Sequence, residues 1–196
     1  MIIQPALALL EFDSITAGIV AGDAMVKRAP LDLLKAGTVQ PGKYLVLIGG
    51  NVADVEEAID AARSTESGSL VDVVFLPDVH PDVVASVAGA RRSDEGEALG
   101  VIETTTVAAI IQAADAGVKG ARVTLRELRM ADGLGGKGYL LFGGSVADVE
   151  AGVAIGSARI GRQLVRNTVI AQLHSEMLDN LAVDGRFEEV VRREGE

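Results

Sequence analysis

Residues 6–12 (Ala-Leu-Ala-Leu-Leu-Glu-Phe) form a short, nearly unbroken apolar run, the pattern of a buried strand. Asp13 and Ser14 then offer cap side chains for a helix through Lys27, in which Ile15, Ile19, Met25 and the alanines recur on one face. A second strand is predicted over 31–38, a turn at Gln40-Pro41-Gly42, and a third strand over 44–48 (Tyr-Leu-Val-Leu-Ile). Gly49-Gly50 ends that strand, and Asn51 caps a second helix whose Val52, Val55, Ile59 and Ala62 share a face. A strand over 70–77 and a short helix over 82–88 complete the series. The order is βαββαβ with an added helix, the ferredoxin-like arrangement.

The whole series then repeats: strand 98–104, helix 106–119, strands 122–131 and 138–142, helix 146–160, strand 163–171 and helix 174–181. The repetition is literal at Gly-Gly-Asn-Val-Ala-Asp-Val-Glu (49–56) and Gly-Gly-Ser-Val-Ala-Asp-Val-Glu (143–150). Upstream, Glu11 aligns with Glu103, Asp23 with Asp115, Lys27 with Lys119 and Ala29 with Ala121 at a single offset. Gly42-Lys43 aligns with Gly136-Lys137 at an offset two residues longer, so a loop between the blocks has absorbed an insertion. A unit of roughly 90 residues is too long for a solenoid repeat and suits a small domain. The fold class is therefore α/β in the broad sense (α+β): two tandem ferredoxin-like βαββαβ domains with extra terminal helices. The domains are read as 1–90 and 98–182, joined by a charged, Gly-containing linker at 91–97. The tail 183–196 lies beyond the repeat; Phe187, Val190 and Val191 either dock a short helix or sit in a mobile segment.

Composition narrows the function classes. Aromatics make up only 3% of the chain, without tryptophan, so the core must be aliphatic. A formal charge of −10 argues against nucleic acid as a partner, because that binding depends on cations neutralising phosphates. The absence of cysteine removes disulfides, thiol nucleophiles and cysteine-ligated iron–sulfur clusters. No apolar run approaches the ~18 residues of a membrane span. The opening Met-Ile-Ile-Gln-Pro lacks a basic segment followed by a long apolar one, so a cytoplasmic protein is expected.

Candidate chemistry is sparse. His80 and His174 occupy corresponding places after the last strand of each copy. A metal would need a cluster of His, Cys or carboxylates, whereas only Asp78 and Asp82 flank His80, and Glu176 lies near His174. A cap or interface role suits them better. Asp23 and Asp115 stand four residues before Lys27 and Lys119, the spacing of an ion pair along a helix or of an interface bond. Gly133-Leu-Gly-Gly-Lys137 runs on into a strand, not a helix, which excludes a P-loop. Gly49-Gly50 and Gly143-Gly144 lack the third glycine of a dinucleotide site. No spacing suggests a catalytic grouping, and neither enzyme activity, nor a cofactor, nor a metal is expected.

The helix Asp23-Ala-Met-Val-Lys-Arg-Ala29, the turn and strand after it, and Gly-Gly-Asn-Val-Ala-Asp-Val-Glu together resemble the shell-protein domain of bacterial microcompartments. The resemblance covers about residues 6–181, and two unpermuted copies resemble the tandem class whose three chains form a pseudohexagonal tile. Thr38-Val-Gln-Pro-Gly-Lys43 and Met130-Ala-Asp-Gly-Leu-Gly-Gly-Lys137 most resemble the propanediol-utilisation tandem class that carries an iron–sulfur cluster. That class has cysteine where this chain has Gln40, so no cluster is implied here. The resemblance implies a homotrimer that joins other shell proteins in the bacterial cytoplasm and passes small metabolites through a central pore. It places Val39, Gln40 and Pro41, with Asp132, Gly133, Leu134 and Gly135, at that opening. Lys27 and Lys119 match its tile-edge lysine, and Asp23, Asp115, His80 and His174 are expected beside them. The family's edge arginine has no counterpart, since Asp78 and Gln172 stand near its place. The alternative is a regulatory protein that binds a small molecule between tandem ferredoxin-like domains.

Overall fold

The structure is a computed structural model that describes residues 5–92 and 96–182. The first half runs β1 (Ala6–Phe12), α1 (Ile15–Arg28), β2 (Leu33–Val39), β3 (Lys43–Gly50), α2 (Val52–Glu66), β4 (Leu70–Leu76) and α3 (Pro81–Val87). The second runs β5 (Ala98–Thr104), α4 (Val107–Gly120), β6 (Thr124–Met130), β7 (Gly138–Gly144), α5 (Val146–Ile160), β8 (Leu164–Ala171) and α6 (Ser175–Ala182). The tail 183–196, with its Phe187, Val190 and Val191, lies outside the described residues.

Each half builds one four-stranded antiparallel sheet, ordered β2-β3-β1-β4 and β6-β7-β5-β8. In both, the strand after the first crossover leaves room for an antiparallel neighbour, as in a split βαβ unit. The registers coincide: Ala6 faces Gly50 and Phe12 faces Tyr44, as Ala98 faces Gly144 and Thr104 faces Gly138. Even the irregularity in the outer pairing recurs, at Glu11/Phe12 and at Glu103/Thr104. The third strand of each half is longer than its apolar run predicts, because Gly49-Gly50 and Gly143-Gly144 still pair with β1 and β5. The repeated octapeptide therefore straddles a strand end and a helix start.

Side-chain caps define the starts of the four long helices. Ser14 and Thr106 accept from the Ala17 and Ala109 amides, and Asn51 and Ser145 from the Asp54 and Asp148 amides. In α2 the predicted face is largely the buried one: Val55, Ala58, Ile59 and Ala62 point inward, with Val52 half-buried.

The predicted inner face of α1 needs correcting. Ala17, Gly18, Ala21 and Met25 are the residues packed inward, while Ile15 and Ile19 remain 41% and 54% exposed. Close approach explains the choice. A Cβ placed on Gly18 would lie 2.5 Å from Tyr44 Cδ1, so the helix rests on the sheet through its smallest residues. The two isoleucines lie on the flank of the helix that no other described element covers.

The halves share a core. Leu7, Leu9, Leu47, Val74 and Leu76 of the first sheet belong to the same apolar cluster as Ile102, Ile110, Ile111 and Leu140 of the second half. Helix α4 is the hinge-pin of this arrangement, packing on β1, β4 and α3 as well as on its own sheet.

Candidate pore loops and the junction between halves

The junction is built from polar groups at the two ends of α4. At its start, Val107 N–H donates to Glu11 Oε2 (2.8 Å), while Lys43 Nζ donates to Glu11 Oε1 (2.6 Å). Thr106 hydroxyl donates to Asp72 Oδ2 at 2.5 Å. Towards its end, Asp115 Oδ1 accepts from the His80 backbone N–H (2.8 Å) and Oδ2 pairs with Lys119 Nζ (2.7 Å). Lys119 Nζ also donates to the Asp78 carbonyl. Glu11 is fully buried, so these bonds compensate the loss of water around its charge.

These contacts revise the picture of the six presumed edge residues. Asp115 is 5% exposed and bonded inside the chain, so it does not lie on an outer edge. His80 caps α3, its Nδ1 accepting from the Asp82 N–H at 3.2 Å. His174 Nδ1 accepts from Glu176 N–H at 3.4 Å where α6 begins. Asp23 and Lys27 pair with each other at 2.5 Å on an exposed surface. Among the described residues no cluster of His, Asp and Glu is arranged to hold a metal.

The structure brings the two candidate loops together. The β2–β3 loop meets the β6–β7 loop where Gln40 N–H donates to Asp132 Oδ1 (3.3 Å). A Cβ on Gly136 would sit 2.9 Å from Pro41 Cδ, so this approach needs a glycine, and its φ of +82° favours one too. Bonds from Leu134 N–H to Ala131 O (2.9 Å) and from Ala131 N–H to Lys137 O (2.8 Å) close the longer loop on itself. Gln40, Pro41, Asp132, Gly133 and Gly135 are exposed, and Val39 and Leu134 are half-buried. Behind the loops, a mainly apolar cavity of about 250 Å³ lies between the halves, reached by Leu9, Val39, Leu47, Met130 and Asp132.

Sequence reasoning passed over Glu11, Asp72 and Thr106. Glu11 did carry a signal, as a lone charge in an apolar strand with an aligned partner at Glu103. Tyr139 is another group visible only in three dimensions. Its hydroxyl donates to Glu127 Oε1 (3.2 Å), and burial, with the Glu127 charge beside it, pushes the phenol up to about 12.

Two copies of a four-stranded antiparallel sheet with paired helices, whose β2–β3 and β6–β7 loops meet at the junction, define a tandem-domain protein of the split βαβ class. The family profile of the BMC domain matches residues 6–79 and again 98–173, and the chain belongs to that family. It is 41% identical over 174 residues to the bacterial microcompartment shell protein PduT of Citrobacter freundii, covering 88% of this chain and 95% of that one. It is 37% identical over 82 residues to the shell protein PduA of Salmonella typhimurium, spanning 41% of this chain and 87% of that one. Among solved structures, a microcompartment protein from Desulfitobacterium hafniense superposes with a TM-score of 0.76 at 40% identity, covering 89% of this chain and 98% of the other. A fused permuted hexameric shell protein, MSM0275, shares the fold at a TM-score of 0.59 and 20% identity, over 79% of this chain and 83% of that one. The protein is thus a microcompartment shell protein of the tandem-domain type.

Proposed function

We propose that three copies of this chain close head to tail into a pseudohexameric tile with a central opening for small metabolites. The observation that carries the reading is the contrast between α1 and α4. Val107 and Ile111 on α4 are fully buried, while their counterparts Ile15 and Ile19 on α1 are exposed. The same element in the same half-domain leaves its large apolar residues uncovered where no half packs against it in the described structure. A second copy supplies it, in a heterologous contact that closes when the rotation permits.

The polar groups follow the same logic. Lys137 and Glu103, counterparts of Lys43 and Glu11, pair at 2.8 Å with side chains 50% and 36% exposed. In the assembled tile Glu103 accepts from the Ile15 N–H of the next copy; that copy's Asp23 accepts from the first copy's His174 N–H, and its Lys27 donates to the first copy's Gln172 carbonyl. Six halves complete the ring in three chains. Val39, Gln40, Pro41, Asp132, Gly133, Leu134 and Gly135 then surround the axis, where the Asp132 carboxylates favour cations over anions. Lys119, already bound to Asp115 and the Asp78 carbonyl, keeps a side chain 38% exposed, and Lys27 in the equivalent junction keeps a similar surface to meet neighbouring shell proteins. The tile is a structural element of a shell in the bacterial cytoplasm and not an enzyme.

Solution mass tests the assembly: a stable monomer of 20.3 kDa at all protein concentrations overturns it. Asp132→Lys tests the opening, since reversing that charge must reverse the preference between anionic and cationic permeants. The regulatory reading is favoured by the cavity between the halves; it requires a monomer and a large ligand-dependent rise in melting temperature.

A further inference from the structure

The pairing of β6 with β7 contains an interruption that the first half lacks. Leu125 faces Phe142 and Glu127 faces Leu141, so Arg126 has no partner across the ladder. In the first half Leu34 faces Ile48 and Lys35 faces Leu47 with nothing skipped. Arg126 is therefore a bulge residue added to one copy of a duplicated frame, and bulges re-aim side chains. Arg92 is held against this edge strand by a bond from its N–H to the Arg126 carbonyl (2.9 Å).

The re-aimed side chain enters a cavity of about 150 Å³ that Arg91 and Arg92 also line, with Leu141 and Leu181 as apolar walls. Arg91 Nη2 donates to Glu127 Oε2 (2.8 Å) and to the Leu181 carbonyl (2.8 Å) at the end of α6. Arg92 Nη2 donates to Asp82 Oδ1 at 2.6 Å. Arg126 differs from both. The residue is 8% exposed, its Nη1 is fully buried without a hydrogen-bond partner, and no carboxylate among the described residues pairs with it.

A guanidinium cannot shed its proton at any ordinary pH, so burial without a partner leaves a full charge uncompensated. Glu127 is already engaged by Arg91 and Arg129, and Asp82 by Arg92. A planar fork with free N–H groups is matched by a carboxylate or a phosphate.

We infer that the cavity under Arg126 is a binding site for a small oxyanion, a carboxylate or a phosphate, built within one chain and separate from the candidate pore loops. Arg126 supplies the buried charge, while Glu127 and Asp82 hold Arg91 and Arg92 in place around the bound anion.

The test is isothermal titration of the full-length protein with inorganic phosphate and, separately, acetate, at constant ionic strength. Saturable binding of either is expected, and the tighter of the two identifies the class of oxyanion. Arg126→Met keeps the bulk and removes the charge, and should weaken binding roughly tenfold or more. Should that variant fail to fold, Arg92→Gln carries the comparison and is expected to weaken binding several-fold. No saturable response up to tens of millimolar in the wild type overturns the inference. So does undiminished affinity in a folded Arg126→Met, or in Arg92→Gln where Arg126→Met does not fold.

Discussion

Replacing Ile19 by aspartate separates a folding role from an assembly role. Ile19 is 54% exposed, whereas its counterpart Ile111 is fully buried. About half an isoleucine thus remains to be covered, worth roughly 1–1.5 kcal/mol per junction. An aspartate at the same place must also lose its hydration when the next copy docks, which costs several kcal/mol. The combined penalty is about 4 kcal/mol or more per junction, roughly a thousandfold in affinity. The fold of the isolated chain should be nearly untouched, because the side chain already faces water. Sedimentation velocity at a series of concentrations is the appropriate assay. The wild type should sediment as a species of three 20.3 kDa chains, and Ile19→Asp as a single chain with an unchanged circular dichroism spectrum. Ile111→Asp, by contrast, should lower the melting temperature, since its site is filled from within the chain. An Ile19→Asp protein that keeps the wild-type mass would falsify the equivalence of the two junctions.

Three further outcomes follow from the packing. Glu11→Ala strands the Lys43 ammonium and the Val107 N–H at a buried site and should cost about 3–5 kcal/mol in urea unfolding, with Glu11→Gln intermediate. Gly117→Ala would place a methyl group 2.4 Å from Cζ of the buried Phe142 ring; the overpacking of about 1–3 kcal/mol should exceed the ~1 kcal/mol helix gain and lower the denaturation midpoint. The Tyr139 phenol should ionise at about 12, seen as a late step in an ultraviolet titration. Because the unfolded chain loses that proton first, near pH 10, stability should fall as pH rises from 10 towards 12; a flat profile across this window would count against the raised phenol.

Much of the frame was legible in the chain. Strand runs, caps and the repeated octapeptide are local signals, and Ser14, Asn51, Thr106 and Ser145 act through bonds to amides only three residues away. The duplication added a second reading of every element, which is why boundaries differ from expectation by only a few residues. The α1 face was misjudged for a physical reason. Periodicity identifies the larger apolar residues, but what packs against each flank decides which are buried: Val107 and Ile111 on α4 are covered, while the equivalent Ile15 and Ile19 on α1 are not. Loop residues were placed by resemblance, and their contact through Gln40 and Asp132 required coordinates.

By itself, then, the sequence determined a duplicated split-βαβ frame without cysteine, with an acidic balance and two unlike loops. Those properties live in short-range pattern and composition, which a linear chain displays directly. The tertiary structure decided which copies of the repeated residues are used up. Asp115 is sealed into a junction while Asp23 is left at the surface, although their neighbours in the chain are nearly the same. It also decided that Arg126 Nη1 is buried without a hydrogen-bond partner, which no local pattern reports. Burial and pairing depend on what the chain brings near from far away, and two identical motifs diverge in role once one has a neighbouring half and the other awaits it.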